Sequence, residues 1–146
     1  MAPIEKRKRA VNFTNLKEPQ LTKQDWQDFY RGIELFNHKK FWEAHEAWEE
    51  IWRRHKEESR IFFQGLIQMS AGFHQLNRNI YHGTQKHLHN ALWKLKPFQP
   101  TCLNLDIKNL VTALEHILTE IEKLGRERLH LFPIENTPQI TYSFHE

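Results

Sequence analysis

Cysteine is nearly absent from this chain: Cys102 is the one thiol in 146 residues. That excludes a disulfide framework and any cysteine-based zinc site, and it fits a reducing compartment. Glycine (5) and proline (6) are sparse too, which excludes collagen-like and low-complexity classes. Long apolar runs are missing. The longest charge-free stretch, Ile61–Asn77, is interrupted by Gln64, Gln68, Ser70, His74 and Gln75 and falls short of the roughly 20 apolar residues that span a bilayer. The N-terminal cations have no apolar run behind them, so no secretory signal is expected. The cytoplasm is the default compartment, with a plastid transit peptide left open, although Met1–Ala10 is short for one. There is no Gly-rich phosphate loop, no GxSxG and no Cys/His zinc knuckle.

What is present is a 39% hydrophobic and 12% aromatic complement, enough for one packed core at this length. The net charge of +3 suggests nucleic acid until it is located. Four of the 21 Lys and Arg residues (Lys6, Arg7, Lys8, Arg9) and one of the 18 acids (Glu5) lie in residues 1–10, leaving 17 against 17 in the rest. The excess therefore belongs to a short basic arm, read as a flexible terminus, and nucleic-acid binding is not expected.

Helical periodicity dominates the remainder. A first helix is expected over about Thr22–Asn37, with Thr22 and Asp25 spaced as a capping box and Trp26, Phe29, Tyr30, Ile33 and Phe36 on one face. A second, about Lys40–Lys56, carries Phe41, Ala44, Trp48, Ile51 and Trp52 as its apolar stripe, with His45 inside that stripe and Glu49 on its flank. A third, about Arg60–Asn77 with Ser59 as cap, is apolar nearly all round and belongs at the centre of a bundle. Gly65 and Gly72, seven apart, would let a neighbouring helix approach it closely. A fourth runs from about Tyr81 to Lys96 and ends at Pro97 and Pro100; a fifth runs from near Asp106 to Gly125, a natural helix-terminating residue. The fold class expected is an all-α, single-domain bundle of about five helices: residues 1–18 an arm, 19–125 the bundle, 126–146 an extended tail whose Ile140, Tyr142 and Phe144 alternate.

One polar constellation stands out. In His45-Glu46-x-x-Glu49 a histidine and a carboxylate four apart project from one helix face. That spacing serves metal binding, with His74 as the obvious third ligand; it serves acid–base chemistry; and it serves equally as a hydrogen-bonded core pair. Gln64 and Gln68, one turn apart on the most apolar helix, need partners if buried, and His45 and Glu49 are plausible ones. Trp42, Trp48 and Trp52 read as core rather than as a stacking platform. His82 and His89 share a face with Lys86 and read as exposed, with His87 nearer the apolar side. Cys102 sits in a loop with no base placed to activate it.

The segments Leu35–Trp52 and Phe63–Asn79 resemble the signature of the bacterial, archaeal and plastid family called domain of unknown function 309. The resemblance rests on Phe36-Asn37, Phe41, Glu43-Ala44-His45-Glu46, Glu49 with Trp52, Gln64-Gly65-Leu66-Ile67-Gln68, and His74. It spans about Phe29 to Leu95. Where that family usually has two glycines, this chain has Lys39 and Arg78. The resemblance implies a small soluble helical bundle and no particular reaction or cofactor. It also implies that His45, Glu46, Glu49, Gln64 and Gln68 are shared features, which raises the weight of a site against packing alone.

Three functional readings follow. In the preferred one, a small-molecule or enzymatic site lies between the second and third helices, with His45 as acid/base or ligand, Glu49 orienting it, Gln64 and Gln68 fixing a polar group, and Glu46, Trp52 and His74 in binding roles. In the second, the same residues form a buried structural network in an interaction protein. In the third, His45, Glu49 and His74 hold a metal. A site needs access for solvent, whereas a structural network is sealed and fully paired. An aromatic-rich bundle of this size is also a candidate homodimer.

Overall fold

The capping pair at the start of the first helix forms as its spacing predicts. The Asp25 N–H donates to Thr22 Oγ1 and the Thr22 N–H donates back to Asp25 Oδ2, both at 3.1 Å. The computed structural model describes residues 16–142; the basic run Lys6–Arg9 and Phe144 lie outside the described residues. Five α-helices follow in order: α1 (Lys23–Asn37), α2 (Phe41–Arg54), α3 (Ile61–Asn77), α4 (Tyr81–Leu95) and α5 (Ile107–Arg128). The chain is an all-α bundle in which α3 packs against both α2 and α4, and α5 closes on α4.

Two helical hairpins, α1–α2 and α3–α4, turn in the same way. The Lys39 N–H donates to Phe36 O and the Lys40 N–H to Leu35 O; the Asn79 N–H donates to Leu76 O and the Ile80 N–H to Gln75 O. This paired closure needs a left-handed residue after the helix. Lys39 (φ 65) and Asn79 (φ 58) supply it. One of the two glycine-type positions, Lys39, is therefore where the backbone needs one. The other falls on Asn79 rather than Arg78, whose φ is −92.

Two helix ends differ from expectation. α2 stops at Arg54 rather than Lys56, because His55 is extended and its ring is drawn into a charged cluster described below. Ser59 does not cap α3. It is buried in a 3-10 turn, Glu58–Arg60, that leads into the helix. At Gly125 (φ 70, ψ −176) α5 breaks as expected, and one further turn follows.

Seven large aromatics, Phe29, Phe36, Phe41, Trp48, Phe62, Phe63 and Phe73, are fully buried. The Trp48 indole N–H donates to Phe29 O at 3.3 Å, which ties α2 to α1, and Ser70 Oγ donates to Phe41 O at 2.5 Å, which ties α3 to α2. A Cβ placed on Gly65 or Gly72 would lie within 3 Å of Leu95 or Leu88, so these two glycines are where α4 meets α3.

Cys102 lies in a two-stranded hairpin, β1 (Thr101–Cys102) and β2 (Leu105–Asp106), where the sequence suggests only a loop. Leu103 (φ 49) and Asn104 (φ 67) make its two-residue turn, a conformation that suits the twist of the strands. Leu103 tolerates it because its side chain is buried and its N–H donates to Glu18 Oε1 at 3.2 Å. Burial pushes the Cys102 thiol up, with Glu18 adding to the effect. The segment after α5 packs on the bundle through Leu129, Phe132 and Ile140, and Tyr142 pairs with Leu105. No helix among the described residues is long and apolar enough to cross a membrane.

Candidate functional site

α2 and α3 meet along a seam whose outer edge carries most of the candidate residues. Trp42, His45, Glu49 and Trp52 recur at three- and four-residue steps on α2, and Gln64, Gln68, Ala71 and His74 do so on α3. Of these only Trp42 is exposed; the others are half-buried. At one end Trp42 packs against His74, centroids 5.1 Å apart. At the other, Arg60 lies over the Trp52 ring at 4.3 Å, beside a recess of about 250 Å³ lined by Trp52, Lys56, Arg60, Ile61 and Gln64, together with Glu57 and Glu58.

His45 sits midway. Its Nε2 is 3.4 Å from Glu49 Oε2, and the two side chains are 14% and 33% exposed. Glu49 in turn pairs with Arg53 at 3.3 Å. The imidazole stacks on Trp42 with centroids 4.7 Å apart and planes 28° from parallel. Its other nitrogen, Nδ1, is buried with no hydrogen-bond partner among the described residues, and the same is true of Gln68 Oε1 and His87 Nδ1. His87 comes from α4, whose backbone approaches α3 closely at Gly72. Burial holds the His87 imidazole below its ordinary range, and the charges of Lys86, His45 and Lys94 add to the shift.

No group of three His, Cys, Asp or Glu side chains among the described residues is arranged to hold an ion, and the expected third ligand, His74, packs on the Trp42 indole. Trp42 is not core, as the sequence suggests, but 48% exposed and stacked on His45; Trp48 is fully buried as expected. Glu46 is exposed on the far side of α2. Gln64 lines the recess at Trp52. His82 and His89 are exposed, and His89 meets Glu122 at 2.9 Å.

Residues 29–87 match the model of a family described as Domain of unknown function (DUF309). The match agrees with the resemblance read from the two signature segments. None of the curated proteins compared with the chain matches it. The DUF309 match contains every candidate site residue and ends at His87, one of the three side chains with a buried polar atom that has no partner among the described residues.

A second polar cluster, absent from the sequence reading, straddles the start of the DUF309 match. His55 Nε2 meets Asp25 Oδ2 and its Nδ1 meets Glu57 Oε2, both at 2.8 Å. Arg54 donates to Asp25 at 2.8 Å and to Asp28 at 2.6 Å. Burial opposes the charge on His55, but the bonds to Glu57 and Asp25 outweigh it and raise the imidazole above its usual value. Burial likewise opposes ionisation of Asp25 and Asp28. The Thr22 N–H, His55 and Arg54 outweigh it at Asp25, and Arg54, Gln24 and Arg31 do so at Asp28, so both carboxyls are lowered. Here every ring nitrogen is satisfied. The signal available in the sequence was Asp25 and Asp28, two acids three apart and therefore on one side of α1, opposite adjacent Arg54 and His55.

Proposed function

We propose that the protein binds a small molecule at the α2–α3 seam, with His45 and Gln68 as its polar contacts, His87 completing the floor from α4, Glu49 orienting His45, and Trp42 as an aromatic wall. One observation carries this reading: three buried polar atoms, on three helices, have no hydrogen-bond partner among the described residues. Buried polar groups in folded proteins are nearly always paired, because an unpaired one costs about 1–3 kcal/mol. The contrast within the same molecule supports it. In the His55 cluster both ring nitrogens are paired, as in a structural network, whereas His45 meets Glu49 through Nε2 and leaves its buried Nδ1 without a partner among the described residues. A lone buried cysteine fits a reducing setting, and the cytoplasm is the compartment we propose.

The test is a fragment screen on the full chain, read through histidine ring-nitrogen shifts. Fragments should move His45 and His87 and leave His55 still, and His45→Ala should abolish the response. If no fragment moves either ring, and buried water alone fills the three positions, the proposal fails.

A further inference from the structure

The chemistry of the three unpaired atoms narrows what the seam accepts, and the argument rests on the binding site proposed above. The His45 nitrogen that faces Glu49 is Nε2. A carboxylate there favours the tautomer with the proton on Nε2, which leaves Nδ1 as a lone pair. Gln68 contributes a carbonyl oxygen, also an acceptor. A bound group must therefore bring N–H or O–H donors. A simple carboxylate, an acceptor only, brings none. A cation brings donors too, but its full charge would have to be desolvated in a half-buried seam, a cost that a neutral donor avoids. The half-exposed Trp42 indole, stacked on His45, offers a flat wall beside these acceptors.

We infer that the seam takes a neutral, planar small molecule bearing an amino or carboxamide group, whose N–H donors reach His45 Nδ1 and Gln68 Oε1 while its ring lies along Trp42. Three probes of nearly equal shape separate the possibilities: benzamide is neutral with an NH₂ donor, benzoate is an anion without one, and benzamidinium is a cation with two.

Each probe is titrated into the full chain near neutral pH, with the His45 and His87 ring shifts as the readout. Benzamide should bind at least about tenfold more tightly than benzoate, because an acceptor-lined site left without donors rejects its isostere. It should also bind more tightly than benzamidinium. Gln68→Leu, which preserves the side chain's bulk, should weaken benzamide by about tenfold and bring benzoate level with it. Benzoate or benzamidinium binding as well as benzamide overturns the ligand class and leaves the site standing. The same follows if other fragments move the two rings and none of the three probes does. Silence from every fragment removes the site and the class together.

Discussion

Asn37 holds Ile140 by both of its backbone groups. The Ile140 N–H donates to Asn37 Oδ1 at 2.8 Å, and Asn37 Nδ2 donates to the Ile140 carbonyl at 3.1 Å. The two residues are 103 positions apart. A side chain at the end of α1 thus takes the place of a neighbouring strand for the tail. Next to it, Lys39 Nζ donates to Thr137 Oγ1 at 2.9 Å.

Replacing Asn37 by Ala should cost about 2 kcal/mol, since two part-buried hydrogen bonds each contribute about 1 kcal/mol. Urea denaturation measures the loss. Limited proteolysis should at the same time show cleavage shifting into residues 133–142. A variant as stable and as resistant as the parent would mean that the tail is held by Ile140 packing alone.

Stability should depend on pH through the His55 cluster in a defined direction. The His55 value is raised on folding, so its contribution is complete below the unfolded value near 6.5 and fades as pH rises through the higher folded value. The values of Asp25, Asp28 and Glu57 are lowered, so their contribution is complete above about 4–5 and fades as pH falls through their folded values. His55→Gln should therefore be most destabilising relative to the parent at roughly pH 5 to 6, with the gap narrowing toward alkaline pH. Thermal melts of both proteins across that range test this; a gap that widens above neutrality contradicts it.

Gly32 and Gly125 should fail for opposite reasons when changed to Ala. A Cβ on Gly32 would sit 2.2 Å from the Trp48 indole nitrogen, a rigid and fully buried ring. Overpacking of that kind costs up to about 3 kcal/mol, and it should disturb the near-ultraviolet signal of Trp48. Around Gly125 there is nothing within 4 Å, so only its backbone (φ 70, ψ −176), a conformation reserved for glycine, is at stake, at about 1–3 kcal/mol and with the aromatic signal intact. Equal costs with equal spectra would contradict the distinction.

At Asn79 the backbone alone decides. Asn79→Gly should leave stability level or raise it by a few tenths of a kcal/mol, whereas Asn79→Ala should lower it by about 1 kcal/mol. The same pair at Arg78, where φ is ordinary, should reverse: Ala tolerated and Gly mildly harmful.

The helices were legible because apolar spacing and the Thr22–Asp25 pair are local signals, and α3 was legible as the centre because it has almost no polar face. The seam was legible for the same reason: His45, Glu49, Gln64 and Gln68 are out of place on apolar stripes. His87 was harder, since its partnerless nitrogen appears only once α4 is set against Gly72. The His55 cluster depends on two helix ends, Asp25 and Arg54, meeting across 29 residues, which no local pattern encodes. Leu103 in a left-handed turn runs against its own preference and is held there by burial and by Glu18.

Trp42 gives this protein an optical channel into its own candidate site. Of the five tryptophans it is the most solvent-accessible, while Trp48 is sealed in the core. An aqueous quencher such as iodide should therefore silence Trp42 first, leaving Trp48 as an internal reference. A molecule settling along the seam would shift the emission of Trp42 to the blue and shield it from the quencher, so occupancy can be followed in unlabelled protein by fluorescence alone.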